Sequence, residues 1–117
     1  MKNFILILAL AVANTLHGQT CQEFLEYVES NAYGKTLYSP TSTAIQKVTF
    51  YSLEYNYETY HYAVVTFNNG MFGKKYIYQV GSRTYFNYLM DYMDSAGRAF
   101  WEHIQPYGDV LGCGPDL

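Results

Sequence analysis

The sequence predicts an α+β domain: a small three-stranded antiparallel sheet followed by two helices, with a short N-terminal helix tied on by a disulfide. Three observations carry that prediction. Period-two alternation recurs in three segments between Ala44 and Val80, helical spacing replaces it on either side, and Cys21 and Cys113 stand far apart along the chain.

The first residues place Lys2 ahead of an apolar run, Phe4 to Ala13, followed by polar Asn14, Thr15 and His17. That is the three-part order of a cleavable secretory signal, assigned to residues 1–18. The run is shorter than the roughly twenty apolar residues a spanning helix needs, so cleavage rather than anchoring is expected. Gly18 is the preferred residue before the cut and Ala13 the alternative. A lipid anchor would want a small residue directly before Cys21, where Thr20 stands. The product is expected to be secreted or periplasmic, with no membrane span after cleavage. There the two cysteines pair, since export delivers them to a compartment where disulfides persist.

Residues 19–41 read as an N-terminal helix and linker. Cys21, Phe24, Leu25 and Val28 share one helical face, while Glu23, Glu26 and Glu29 lie away from it. Gly34 stops this helix, and Lys35 to Thr43, with Ser39-Pro40, reads as a loop. Ala44 to Tyr51 is the first strand. In the second, Thr59 to Phe67, His61, Ala63, Val65 and Phe67 take one face and Tyr60, Tyr62, Val64 and Thr66 the other. Asn68-Asn69-Gly70 supplies turn residues that tolerate positive φ, and Lys74 to Val80 returns as the third strand. From Ser82 as N-cap, Tyr85, Tyr88, Leu89 and Tyr92 recur at helical spacing beside a second apolar stripe of Phe86, Met90 and Met93. A break at 94–97 leads to a last helix, Arg98 to Gln105, ended by Pro106.

In this order the segments resemble the KTSC domain, a family named for its occurrence at the C-terminus of some lysyl-tRNA synthetases. The resemblance covers Ser42 to Tyr107, within a domain bounded at 42–108, and leaves 109–117 as a tail carrying Cys113. It rests on Ser42-Thr43-Ala44-Ile45, on Ala63, Val65 and Phe67, on Tyr76-Ile77-Tyr78, and on the closing motif Ser95, Gly97, Phe100, Ile104 and Tyr107. The chain departs from the family pattern at Gly81, where a proline is usual, and at Trp101, where asparagine is common. The resemblance implies a fold and no settled activity.

Catalytic and metal chemistry find little support in the residues. Ser95 lacks a Gly-x-Ser-x-Gly elbow and reads as a helix cap, which leaves Ser95, His103 and Asp94 as the weak basis for a small hydrolase. Asp91, Asp94 and Glu102 flank the interhelical gap, where solvated charge is a simpler account than an acid–base pair. Neither His61 nor His103 has a second ligand at metal-site spacing, so no metal, cofactor or catalytic residue is assigned.

Seven basic residues, less Lys2 of the leader, face ten acidic ones, a formal charge of −4 that disfavours nucleic acid. A nucleic-acid-binding domain is nevertheless the alternative reading, through the synthetase context of the family name. Fourteen tyrosines and seven phenylalanines instead direct attention to contact surfaces. The expected function is a non-enzymatic module that binds an unknown protein or extended ligand, with Tyr60, Tyr62, Tyr76 and Tyr78 as the candidate contact residues.

Overall fold

The computed structural model describes residues 17–68 and 74–117, with side chains from Cys21 onward. The expected leader up to residue 16, and Asn69-Gly70 of the expected turn, lie outside the described residues. Helix α1 (His17–Asn31) leads into strands β1 (Gly34–Tyr38), β2 (Ile45–Tyr55), β3 (Glu58–Phe67) and β4 (Lys75–Val80). Helices α2 (Thr84–Asp91) and α3 (Ala96–His103) follow, then a 3-10 turn (Gln105–Tyr107) and the short helix α4 (Gly108–Leu111). The strands form one antiparallel meander in chain order.

Among the described residues the sheet has four strands, not three. The extra one, β1, occupies the start of the expected loop. It is too short to display a strand period, but it pairs with β2 from Gly34 to Tyr38, and Leu37 packs on the main core. Gly34 therefore begins a strand rather than merely ending a helix. A Cβ there would stand 2.6 Å from the Thr49 methyl and 2.7 Å from the Tyr51 ring, so the close pairing needs glycine.

Strand β3 is buried without interruption from Tyr62 to Phe67, so both faces of the sheet must be covered. On one face Ala63, Val65 and Phe67 join Ile45, Val48, Phe50, Tyr78 and Val80 beneath Tyr88, Ala96, Ala99, Phe100 and Ile104. Phe100 meets Phe67 and Tyr78 edge-on, with centroids 5.4 and 5.6 Å away. A register shift between Ile45 and Lys47 brings Ile45 and Val48 to this same face despite their odd spacing. On the other face Leu25 and Val28 of α1 cover Tyr62, Val64 and Ile77. Residues 19–41 are thus part of the fold, packed on the same sheet as residues 42–108.

After α3 the chain runs along β4 to the α1 side. The Tyr107 hydroxyl abuts Gly81, and Gly114 abuts the Tyr78 hydroxyl, leaving no room for a Cβ at either glycine. The expected tail thus contains α4, and its Cys113 forms a disulfide with Cys21, Cα to Cα 5.7 Å, across 92 positions of sequence. Among the described residues no helix is long and apolar enough to cross a membrane.

Two helix boundaries also differ from expectation. Helix α2 begins with Arg83, not Ser82, at its N-cap, because the Thr84 hydroxyl accepts the Gly81 N–H and closes the preceding turn. Helix α3 starts two residues before Arg98, since the Ser95 hydroxyl accepts the Arg98 N–H as a true cap.

Two stability predictions follow from this architecture. Replacing both cysteines by serine is expected to cost about 4 kcal/mol in the chain-entropy account of a loop this long, measured by urea denaturation. The β2–β3 turn places Asn56 at φ 54° and Tyr57 at φ 66°. Asparagine tolerates that conformation, whereas an exposed tyrosine is strained by it, so Tyr57→Gly is expected to raise stability by about 1 kcal/mol in the same assay.

Candidate functional site

The four tyrosines expected to form one contact surface divide between the two faces. Tyr60 and Tyr62 of β3 lie on the α1 side, whereas Tyr76 and Tyr78 of β4 lie on the α2–α3 side. Tyr62 and Tyr78 are buried, and Tyr60 and Tyr76 are half-buried at the margins. Alternation within each strand was readable, but the register that sets Tyr78 opposite Ala63 was not. Tyr62 and Tyr78 pack in the two cores, Tyr60 and Tyr76 pack at their margins, and the four do not compose a single patch.

The structure instead brings together two stretches that sequence treats as separate. Residues 38–44, which leave β1 and enter β2, face residues 92–97 between α2 and α3 across an open groove of about 510 Å³. Ser42, Thr43 and Ala44 line one wall, and Ser95, Ala96 and Gly97 the other. A Cβ placed on Gly97 would stand 3.9 Å from the Ala44 methyl, in ordinary contact across the groove. Both walls are fixed from within. The Ser42 hydroxyl accepts the Ala44 and Ile45 N–H groups, the Asn68 side chain donates to the Ser42 carbonyl, and the Asp91 carbonyl accepts from Asp94 and Ser95. The remaining motif residues are structural. Phe100 and Ile104 are core, and Tyr107 closes against Gly81.

Tyr38, Tyr92 and Met93 also line the groove. Met93, in the turn just past α2, continues the second stripe of the helix, and that stripe faces solvent: Phe86, Met90 and Met93 are 50, 67 and 82 % exposed. The first stripe carries buried Tyr88, with Tyr85 and Tyr92 packed against the core. Helical spacing had identified both stripes, but only packing distinguishes which is covered.

Charged and nucleophilic groups are distributed among separate contacts. Ser95 is occupied as a cap, Asp94 pairs with Arg98 at 2.7 Å, and His103 Nε2 meets Asp91 Oδ2 at 2.6 Å. Ser95, Asp94 and His103 thus form no relay. Asp91, Glu102 and His103 do converge, with one ligating atom from each within 4.8 Å of the others. The sequence places Asp91 and Glu102 beside the interhelical gap but does not show that His103 turns toward them, because that depends on how the two helices cross. His61 shares the expected face with Ala63 and holds Ser52 Oγ at 3.1 Å through Nδ1.

The basic residues are likewise dispersed. Lys35, Lys47 and Lys74 stand over the rings of Tyr85, Tyr38 and Tyr76, while Lys75 pairs with Glu29. These are separate sites rather than the continuous basic track that a nucleic-acid backbone requires. No family model, curated protein or solved structure matches this chain.

Burial pushes the phenols of Tyr62 and Tyr88 up to about 12, and raises that of Tyr78 as well, above the ordinary value of 10.0. The folded state therefore keeps these protons after the unfolded chain has released its own. Stability is complete below pH 10 and falls as pH rises toward 12, each phenol removing on the order of 1 kcal/mol per pH unit. Alkaline denaturation followed by near-ultraviolet circular dichroism is expected to show this slope, and Tyr62→Phe is expected to flatten it.

Proposed function

We propose that this chain is an exported, non-enzymatic domain of KTSC type that binds a partner protein through the groove between residues 38–44 and 92–97 and the adjoining stripe of α2. The observation that carries this reading is the continuity of the two surfaces at Met93, which both lines the groove and ends the exposed stripe Phe86, Met90 and Met93. Methionines and aromatics contribute apolar area that adapts to a partner, and the groove walls add hydroxyl and backbone groups for hydrogen bonding. Export is supported by the order of residues 1–18 and agrees with the disulfide between Cys21 and Cys113. The KTSC assignment rests on the motif residues, two groups of which, Ser42 to Ala44 and Ser95 with Gly97, line the groove.

Site-specific photocrosslinking tests this function. A photoreactive residue at Met93, in protein exported by its source cells, is expected to give a discrete adduct, and the same group at exposed Glu54 on the distant hairpin is not. Met90→Glu, kept folded by circular dichroism, is expected to reduce the Met93 adduct about tenfold or more, as loss of a central interface contact does. Equal labelling from Met93 and Glu54, or no adduct from Met93, overturns the proposal.

A further inference from the structure

We infer that Asp91, Glu102 and His103 form a binding site for one divalent first-row transition metal ion, separate from the groove. Asp91 ends α2, and Glu102 with His103 ends α3, so the site joins the C-terminal ends of the two helices. Its backbone supports are hydrogen-bonded or flanked by core residues. The Asp91 carbonyl accepts the Asp94 and Ser95 N–H groups, while His103 lies between buried Phe100 and Ile104 in the sequence.

The donor atoms have the composition and reach of such a site. His103 Nε2 lies 2.6 Å from Asp91 Oδ2 and 3.8 Å from Glu102 Oε1. Donors about 2.1 Å from a tetrahedral ion stand roughly 3.4 Å apart; both distances to His103 differ from that by less than about 1 Å, and every donor pair lies within 4.8 Å, so small side-chain rotations bring all three into a coordination sphere. One imidazole with two carboxylates suits zinc and its neighbours, whereas calcium and magnesium prefer oxygen alone. The His103 side chain is only 22 % exposed, and the two more open carboxylates leave room for water to complete the sphere.

Charge points the same way. Asp94 pairs with Arg98 and Glu29 with Lys75, but the ion-pair contacts of Asp91 and Glu102 among the described residues converge on the one imidazole of His103. A divalent cation balances both carboxylates at once, which a single imidazole, carrying at most one positive charge, does not.

Zinc titration by calorimetry, on oxidised mature protein free of any affinity tag, tests the site. Saturable one-to-one binding is expected. Asp91→Asn should weaken it about tenfold or more, and His103→Ala should remove it, with His61→Ala unchanged. Cobalt binding should shift the ¹⁵N resonance of His103 Nε2 and leave that of His61 in place. Because Asp91 is half-exposed, Asp91→Asn keeps the test valid if His103→Ala folds poorly. The inference is overturned by absence of saturable heat at millimolar zinc, or by binding that survives unchanged in either variant.

Discussion

From Tyr62 to Phe67 strand β3 has no solvent face, and the remaining architecture answers that constraint. Burial runs unbroken from Tyr62 to Phe67, although alternate side chains point in opposite directions. A sheet so built needs a cover on each side. The α2–α3 hairpin supplies one through Tyr88, Phe100 and Ile104, and α1 supplies the other through Leu25 and Val28. Each fully buried side chain of this size contributes about 1.5–3 kcal/mol relative to exposure. Loss of either cover exposes half of the β3 side chains and their neighbours.

The alternating and helical periods made most of this legible. β3, β4, α1 and the boundary role of Ser95 follow from patterns of a few residues, because strand pairing and helix capping use local chemistry. What remained hidden was set by contacts distant in sequence. β1 becomes a strand because β2 offers it a paired edge, and Leu37 finds the main core there. Register decides that Tyr62 and Tyr78 face opposite ways, which no count of tyrosines reveals. The groove and the Asp91–His103 contact were hidden for the same reason: each joins segments that are apart in the chain. Ser42 and Ser95 were recognisable as individual residues, but not as opposite walls.

The aromatic load divides by hydroxyl chemistry. Tyr78 and Tyr88 are among the largest fully buried side chains, and neither hydroxyl meets hydrogen-bond geometry with another described group. Ser39 sits close enough to pull the Tyr88 phenol down, yet its own hydroxyl is also outside that geometry. Burying a hydroxyl without a full partner costs on the order of 1–3 kcal/mol, so ring packing must offset it. The edge-on contact of Tyr78 with Phe100 and the stack of Tyr88 on Tyr92, 5.5 Å between centroids, provide that packing. Tyrosines at the margins, such as Tyr60 with its hydroxyl on Glu58, avoid the cost by keeping the polar end outside.

The disulfide therefore acts beyond joining the ends of the chain. The C-terminal segment has to leave the α3 side, run beside β4 and reach α1, and it has few apolar anchors on the way: Leu111 packs against the α1-side core, while Val110 faces solvent. Two close fits, Tyr107 on Gly81 and Gly114 on Tyr78, position it but do not hold it strongly. The covalent bond at Cys113 fixes the segment where packing is thin and at the same time anchors α1 over Tyr62 and Val64. A single cross-link thus secures one of the two covers that β3 requires. The stability of that layer is consequently coupled to redox state, whereas the α2–α3 layer rests on its large aromatic core and local polar contacts, with no covalent link.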